Sequence, residues 1–211
     1  EQELLGASPE MLVRVRQGVT ETFPIAGTRP VTGDPQQDDA AAADLLGDRK
    51  ETAEHAMLVD LARNDLNRVC APGSVEVAAF QEVHRFHRVQ HLVSHVRGTL
   101  EDGQDAWEAL AAVFPAGTLS GAPKIRALEH IHALESSPRG PYGGAVAYAS
   151  FNGDFDSAIC IRSLSAQGDH LTVQAGAGIT HRSDPQSEAD ETRHKARTLL
   201  EALAGFQEAV A

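Results

Sequence analysis

Two short turns near the end of the chain restrict its fold more than any other sequence feature. Residues 143–150, 156–165 and 170–175 have strand-like patterns, and the sequences NGD at 152–154 and QGD at 167–169 connect them. Asn-Gly and Gly-Asp pairs adopt the backbone conformations that tight hairpins require. The turns therefore predict antiparallel pairing, and they exclude a purely helical chain and a regular βαβ repeat.

Helical and extended patterns alternate irregularly through the rest of the chain. Apolar residues at three- and four-residue steps predict a long helix from Asp38 to about Arg68. Further helices are expected at 104–112, 122–135 and 186–204, and further strands at 3–15, 19–26, 74–80 and 88–100, the first two joined at Gly18. We therefore predict an α+β fold with antiparallel or mixed sheets packed between helices.

The excess of acidic residues argues against some classes of binding partner. Acidic residues number 30 against 18 basic ones, for a net charge of −12. This argues against a nucleic-acid-binding or anionic-membrane surface, since both attract basic patches. Only two cysteines are present, and no apolar run is long enough to span a bilayer. The amino terminus lacks a signal-peptide pattern, so we expect a protein of the reducing cytoplasm.

Two pairs of glutamates are candidates for a metal site. Glu51 and Glu54 lie on the long predicted helix, and Glu188 and Glu191 lie on the last one. A three-residue step places each pair on one helix face. If the faces converge, their carboxylates suit Mg²⁺, which prefers a few carboxylates, water and an oxygen-rich substrate. Such pairs are also common on solvated helix faces, which is the simpler explanation.

Two glycine-containing loops are candidates for substrate contacts. The sequence PAGTLSGAPK at 115–124 precedes a helix, and backbone N–H groups at a helix start can bind anions. The sequence AGAGI at 175–179 follows a strand, where small residues allow a ligand close to the backbone. A well-capped helix and a tight turn are the simpler alternatives. The second loop lacks the GxGxxG spacing of a dinucleotide site.

Histidines at 84, 87, 91 and 95 would share one face of a helix and so raise the possibility of zinc. Residues 88–100, however, have a strand-like pattern, and no cysteine or carboxylate stands at a familiar zinc-ligand spacing. We therefore expect these histidines to be ordinary packed or exposed side chains rather than zinc ligands.

Taken in order, the segments resemble the chorismate-binding enzymes, the family of anthranilate, aminodeoxychorismate, isochorismate and salicylate synthases. The resemblance covers nearly the whole chain. The matching segments are GASPE at 6–10, PIAGTRP at 24–30, DRKETAEHAMLVDLARNDLNRVC at 48–70, HLVSHVRGTL at 91–100, FPAGTLSGAPKIRALEHI at 114–131, RGPYGGAVAY at 139–148, AICIRS at 158–163, QAGAGI at 174–179 and SDPQSEADETRHKA at 183–196.

The resemblance implies a catalytic set and a metal. Mg²⁺ would be held by Glu54 and Glu191, with Glu51 and Glu188 acting directly or through water, and would contact the ring carboxylate of chorismate. Glu10 matches the family's general acid, which protonates the departing 4-hydroxyl and needs a raised pKa. The remaining implied residues are His91 for the later loss of pyruvate, Lys195 beside the metal carboxylates, Tyr142 and Arg162 for the enolpyruvyl carboxylate, and Gly27, Thr28, Thr118, Gly176 and Gly178 along the pocket.

Two local differences separate the family members. Aminodeoxychorismate synthases commonly have a nucleophilic Lys where this chain has Ala26, and their loop tends toward GSITGAPK rather than GTLSGAPK. We therefore expect the anthranilate synthase reaction: amination at C2 with ammonia from a glutamine amidotransferase subunit, then pyruvate elimination. Aminodeoxychorismate and isochorismate or salicylate synthesis, and an inactive remnant that only binds a ligand or partner, remain the alternatives.

The resemblance also places the chain within a longer family sequence. Residues 1–211 are expected to be the carboxy-terminal part of the catalytic region, and the family's amino-terminal half is absent from them. The fold should accordingly be an incomplete half of the family fold, with unpaired strand edges and exposed apolar surface.

Overall fold

The computed structural model describes residues 2–181 and 183–210. The strands are β1 Gln2–Gly6, β2 Met11–Arg16, β3 Val19–Thr22, β4 Ile25–Pro30, β5 Glu76–Arg85, β6 Val89–Thr99, β7 Ala145–Ala149, β8 Phe155–Ile159, β9 Ser163–Gln167 and β10 His170–Val173. The helices are α1 Pro35–Gly47, α2 Arg49–Leu66, α3 Ala106–Val113, α4 Gly117–Ser120, α5 Lys124–Leu134 and α6 Pro185–Val210.

The strands form two sheets. A seven-stranded sheet has the order β4-β6-β3-β2-β8-β7, with β5 also paired to β6, and a three-stranded sheet has the order β1-β9-β10. Every pairing between these strands is antiparallel. Helices pack on the larger sheet, so the predicted α+β class is confirmed. Whether residues 1–211 act as one catalytic region stays a prediction.

The two predicted hairpin turns are present. Gly153, with φ of 88°, connects β7 to β8, and the side chain of Asn152 accepts a hydrogen bond from the Asp154 N–H. Gly168, with φ of 57°, connects β9 to β10. Both glycines use the positive φ that residues with a side chain rarely adopt.

Two predicted strands were wrong, because each is divided between the two sheets. Residues 156–165 form two strands, because the chain leaves β8 in the larger sheet and enters β9 in the smaller one. The change of direction passes through Arg162, a non-glycine residue with φ of 50°. Residues 3–15 are likewise divided between β1 and β2, which belong to different sheets. Arg162 therefore lies at the junction of the two sheets.

The long predicted helix was also wrong in one respect: it is two helices. Helix α1 ends at Gly47, and Asp48 has an extended backbone with φ of −74° and ψ of 107°. The Asp48 side chain accepts hydrogen bonds from the N–H groups of Lys50 and Glu51, so it caps α2. The break lets α2 begin in a new direction, with Glu51 and Glu54 in its first turns.

The core lies between the larger sheet and helices α2 and α3. Helix α2 contributes Val59 and Leu66, which are 4% and 0% exposed, and the sheet contributes Val13, Val96 and Phe155. Burying a side chain of this size stabilises the fold by about 1.5–3 kcal/mol. This packing fixes the axis of α2 and therefore the positions of its two glutamates. Within the described residues, no helix is long and apolar enough to cross a membrane.

Candidate active site

The glutamates of α2 lie in a partly buried, negatively charged environment. Burial raises the pKa of both Glu51 and Glu54. For Glu54 the charge of Glu51 adds to this effect, and Glu191 and Glu188 of α6 raise its pKa further. The two predicted pairs are thus close enough to repel one another, although they are 134 or more residues apart in the sequence. The repulsion favours any group that brings positive charge.

Two lysines supply part of that charge. Lys50 Nζ donates a hydrogen bond of 3.1 Å to Oε1 of Glu188, whose side chain is 6% exposed. Burial alone would raise the pKa of Glu188, but hydrogen bonds from Ser183 and Lys50 outweigh it and hold the pKa below its ordinary value. Lys195 Nζ lies 2.5 Å from Oε1 of Glu191. Glu188 and Glu191 therefore each have a lysine partner.

The donor set fits magnesium in the way proteins usually hold it. In residues 2–181 and 183–210, no three carboxylate, histidine or cysteine side chains come close enough to enclose a metal by themselves. Mg²⁺ does not need such a cage, because it is commonly bound by one or two carboxylates together with water and substrate oxygens. The mutual repulsion around Glu54 is what a divalent cation would relieve.

Three predicted glycines lie directly against the polar side chains of this site. A Cβ on Gly178 would lie 2.9 Å from Glu54 Oε1, and one on Gly176 would lie 3.0 Å from the Tyr142 hydroxyl. Gly27, with φ of 67°, would place a Cβ 3.1 Å from Glu51 Oε2. Glycine at these positions keeps the space beside the carboxylates and the phenol open.

Glu10 is partly buried in the loop between β1 and β2. The Thr118 hydroxyl donates a 2.7 Å hydrogen bond to Glu10 Oε1. Burial raises the pKa of Glu10 to about 7, despite the opposing effects of Thr118, Lys195 and Arg162, which favour the carboxylate. A carboxyl group that is half protonated near neutral pH can donate a proton to a leaving group and be recharged from solvent.

His91 is oriented by neighbouring groups of β4. Its Nδ1 lies 2.9 Å from the Gly27 carbonyl oxygen and 3.1 Å from the Thr28 hydroxyl. A carbonyl oxygen can only accept, so Nδ1 carries the proton in the bond to Gly27 and the neutral ring has its basic lone pair on Nε2. Gly27 in turn lies against Glu51, which connects the histidine to the carboxylate group.

Tyr142 and Arg162 come from the segments on either side of β7 and β8. Burial raises the pKa of Tyr142, while Arg139 and Arg162 act in the opposite direction. The Arg139 guanidinium lies over the Tyr142 ring at 5.7 Å. Positive φ at Arg162 is costly for a residue with a side chain, and such conformations cluster at functional sites. Arg162 also lowers the pKa of Glu10, and the Tyr142 hydroxyl lies against Gly176.

Lys195 links the parts of the site. Its ammonium pairs with Glu191, donates a 3.1 Å hydrogen bond to the Gly176 carbonyl and lowers the pKa of Glu10. The structure therefore brings every predicted site residue into contact with, or electrostatic range of, at least one other. The predicted roles of these residues stay predictions.

Sequence reasoning missed several polar residues of the site. Lys50 pairs with Glu188, Arg139 packs on Tyr142, and Lys124 is paired with Asp65 at the base of the Thr118 loop. Lys50 could have been suspected from its place beside Glu51, in the same helical turn as two carboxylates. Asp65, the partner of Lys124, lies 59 residues away in the sequence, and no local pattern predicts the contact.

The histidines considered for zinc lie on and beside two strands rather than on a helix. His84 of β5 stands opposite His91 of β6 in the strand register. His95 instead lies 2.8 Å from Glu21 and stacks on Phe23. His91 therefore has different partners from His95, since it contacts the Gly27 carbonyl and the Thr28 hydroxyl of β4.

Comparison with known proteins gives a consistent result. Residues 1–201 match the family model described as chorismate binding enzyme. Anthranilate synthase component 1 of Methanothermobacter marburgensis is 57% identical over 203 residues, which cover 96% of this chain and 44% of that protein. The corresponding protein of Streptomyces coelicolor is 52% identical, with 95% and 39% covered. The chain spans less than half the length of these relatives.

Solved structures share the fold. Anthranilate synthase component I from Streptococcus pneumoniae superposes with a TM-score of 0.85 at 48% identity, covering 93% of this chain and 43% of that one. The menaquinone-specific isochorismate synthase from Escherichia coli superposes with a TM-score of 0.84 at 29% identity, covering 94% and 45%. Two different activities are therefore found on this fold.

Proposed function

The chain belongs to the chorismate-binding enzymes, and from that membership we propose that it is the carboxy-terminal catalytic region of an anthranilate synthase. The proposed reaction adds ammonia at C2 of chorismate, expels the 4-hydroxyl and then eliminates pyruvate to give anthranilate. The observation that carries the proposal is the hydrogen bond from Thr118 to a partly buried carboxyl, Glu10, whose pKa is also affected by Lys195, the partner of Glu191.

Glu10 supplies the proton in the first half of the reaction. The 4-hydroxyl is a poor leaving group unless it is protonated. As the nitrogen lone pair forms the bond to C2, both ring double bonds shift and the C4–O bond breaks; the added nitrogen then releases its extra proton to solvent. The Glu10 proton leaves with that oxygen as water. With a pKa of about 7, Glu10 is protonated in a large fraction of molecules at neutral pH.

The glutamate pairs bind the ring end of the substrate. Mg²⁺ bound at Glu54 and Glu191, with Glu51 and Glu188 in direct or water-mediated contact, would neutralise the carboxylates and attract the ring carboxylate of chorismate. Lys195, beside Glu191, adds positive charge near the same group. Because Gly178 has no side chain, the space beside Glu54 Oε1 would stay free for the cation and its water ligands.

Arg162 and Tyr142 recognise the enolpyruvyl carboxylate. A guanidinium can form two parallel hydrogen bonds to a carboxylate, and a phenol adds a third donor. Gly176 leaves room beside the Tyr142 hydroxyl, and the Lys195 ammonium holds the Gly176 carbonyl. The substrate would thus be bound at both of its carboxylates, which orients the ring with respect to Glu10.

His91 acts in the second half of the reaction. Loss of pyruvate makes the ring aromatic only when the proton at C2 is also removed. The Gly27 carbonyl fixes the His91 tautomer with its lone pair on Nε2, which suits a proton acceptor. The C2–H electrons form the aromatic double bond, the C3–O bond breaks, and the departing enolpyruvate takes up a proton to become pyruvate.

The proposal extends to partner and location. Ammonia would come from a glutamine amidotransferase subunit, as expected of a component 1 protein, and the enzyme would act in the cytoplasm without nucleic-acid or membrane partners. The acidic composition agrees with this set of partners.

Isochorismate synthesis is the second candidate, because an isochorismate synthase has the same fold at 29% identity. Water would then replace ammonia at C2, and the product would keep its enolpyruvyl group. Aminodeoxychorismate synthesis is disfavoured by Ala26, which lies on β4 next to Gly27 and offers no nucleophile. An inactive remnant that only binds a ligand is also disfavoured, because it would not need the hydrogen-bonded pair of Glu10 and Thr118 for proton transfer.

Product analysis separates these candidates. The chain is incubated with chorismate, Mg²⁺ and ammonium, alone and with the amino-terminal part of a similar anthranilate synthase, and the products are resolved by chromatography and mass spectrometry. Anthranilate with an equal amount of pyruvate supports the proposal. Isochorismate as the product would instead support isochorismate synthesis, and aminodeoxychorismate would support aminodeoxychorismate synthesis. Binding of chorismate without any product, in both mixtures, would establish the remnant.

A further inference from the structure

The loop that carries Thr118 is closed at its base by one buried lysine. The loop runs through residues 114–123 between α3 and α5 and includes the single turn of helix α4. Lys124, the first residue of α5, donates a 2.7 Å hydrogen bond from Nζ to the carbonyl of Val113, the last residue of α3. The same ammonium donates a 2.7 Å bond to Asp65 Oδ2. One side chain therefore holds both ends of the loop together.

The same lysine attaches the loop to helix α2. Asp65 belongs to α2, and the side chains of Lys124 and Asp65 are only 10% and 7% exposed. A second attachment lies at Gly117, where an added Cβ would come within 2.5 Å of Leu61 Cδ2, also on α2. Between these two attachments the loop has little freedom to move away from α2.

Thr118 follows the attached glycine directly. Its hydroxyl reaches Glu10 Oε1 at 2.7 Å, across 108 residues of sequence. The charged groups that face Glu10 are Lys195 from α6 and Arg162 from the junction between β8 and β9. Asp65 lines the same cavity as Glu10, on the α2 side. The position of the Thr118 hydroxyl therefore depends on how the loop is held against α2.

We propose that the Lys124–Asp65 ion pair is a positioning clasp, which keeps the Thr118 hydroxyl on the Glu10 carboxyl by fixing the 114–123 loop to α2. Lys124 and Asp65 are positioning residues, since the Lys124 ammonium bonds to Asp65 and to the Val113 carbonyl rather than to Glu10 or Thr118. The geometric part of the inference stands on the contacts alone. Its meaning for proton donation rests on the proposed function of Glu10.

A purely structural role is the competing explanation, and the energetics of buried ion pairs distinguish the two. Replacing both partners with apolar residues of similar size is often neutral or stabilising, whereas removing one partner leaves an uncompensated charge. A pair kept only for stability would therefore be replaceable as a unit. A clasp would not be, because the apolar replacements cannot bond to the Val113 carbonyl or fix the loop.

The test measures the ionisation of Glu10 directly. The chain is labelled with ¹³C at glutamate carboxyls, and the Glu10 resonance, assigned by its loss in Glu10→Gln, is followed against pH. In the double variant Lys124→Met/Asp65→Leu, the melting temperature is expected to stay near that of the parent. The pKa of Glu10 is expected to rise by about 1, and by a similar amount in Thr118→Val, because a hydrogen bond to the carboxylate is lost in both.

Two further variants complete the experiment. Arg63→Met/Asp60→Leu removes an exposed ion pair from the same helix and should leave the Glu10 titration unchanged. Asp65→Asn weakens the clasp at constant size, and should raise the pKa of Glu10 by a smaller amount even if the double variant fails to fold. An unchanged Glu10 titration in Asp65→Asn, or in a folded double variant, overturns the clasp.

The readout is independent of turnover. If the parent chain makes no anthranilate under any condition, the proposed function fails while the titration still decides the clasp. If turnover is present, the alkaline limb of kcat/KM should move upward in Lys124→Met and return toward the parent in Lys124→Arg. A change in KM alone, with the limb in place, would contradict a role in holding Thr118.

Discussion

Glu10→Gln should make the protein more stable at alkaline pH while removing its proposed proton donor. Burial raises the pKa of Glu10 from 4.5 to about 7 in the folded state. The folded state thus favours the protonated carboxyl, and ionising it costs about 1.4 kcal/mol for each unit of the difference. Above the folded pKa the full cost is present, about 3 kcal/mol. Glutamine keeps the shape and the bond from Thr118 without carrying the charge.

The sign of the effect fixes the pH window. Below pH 4.5 both states bind the proton, so parent and variant should have similar stability. Between 4.5 and about 7 the unfolded chain releases its proton first, and the parent loses stability relative to the variant. Above about 7 the difference levels off. For a domain of this size, 1 kcal/mol shifts Tm by about 2–4 °C, so the gain is on the order of 6–12 °C.

The assay is thermal and urea unfolding of both proteins at pH 4.5 and pH 8.5. The matched control is Glu101→Gln, since Glu101 lies at an exposed position in the loop before α3. We expect Glu10→Gln to exceed the parent by about 3 kcal/mol at pH 8.5 and to match it at pH 4.5. Equal stability at both pH values, or the same gain in the control, would refute the argument that burial keeps this carboxyl protonated.

Four other variants probe the remaining parts of the site. Glu54→Gln and Glu191→Gln should each reduce Mg²⁺-dependent turnover and Mg²⁺ affinity by on the order of 10²-fold or more, measured by kinetics and calorimetry; full activity in either would remove it from the metal site. His91→Ala should slow pyruvate release by about 10²–10⁴-fold and let an aminated intermediate accumulate, and unchanged partitioning between the two products would contradict its role. Gly178→Ala should displace the Glu54 carboxylate, since the new Cβ would lie 2.9 Å from Oε1. We expect Mg²⁺ binding to weaken by roughly 10-fold. An unchanged Mg²⁺ affinity would show that the position of the Glu54 carboxylate does not matter for binding.

The architecture could be predicted where local signals were strong. The glycines at 153 and 168 indicated two hairpins, and both are present. The helix boundary at Asp48 was missed although Gly47 followed by Asp48 is an ordinary helix end followed by a helix start. The apolar periodicity continued across it and suggested one helix. The break at Arg162 had no signal, because nothing local predicts positive φ at an arginine.

The candidate site was predictable to a similar degree. The three-residue spacing placed Glu51 beside Glu54, but only the tertiary packing of α2 and α6 brings the second pair into range. The family resemblance selected Glu10, whereas its pKa of about 7 follows from burial that no sequence window reveals. The Lys124–Asp65 contact depends on the way α4 lies between α2 and the start of α5, and it was not anticipated.

Exposed apolar surface accompanies the partial coverage of the relatives. All five residues of the edge strand β7 are exposed, and Ile125 and Leu134 of α5 are 71% and 83% exposed. The relatives are more than twice as long as this chain. Activity assays are therefore best made both with the chain alone and with the amino-terminal part of a similar enzyme present.

The central claim is that this chain supplies the groups that convert chorismate and ammonia to anthranilate. The most direct measurement is the growth of anthranilate fluorescence with chorismate, ammonium and Mg²⁺, for the parent chain and Glu10→Gln, each with and without the amino-terminal part of a similar enzyme. We predict a signal that requires Mg²⁺, is lost in Glu10→Gln and falls as the pH rises through about 7. A signal that persists in Glu10→Gln, or its absence from the parent in both mixtures, would contradict the account.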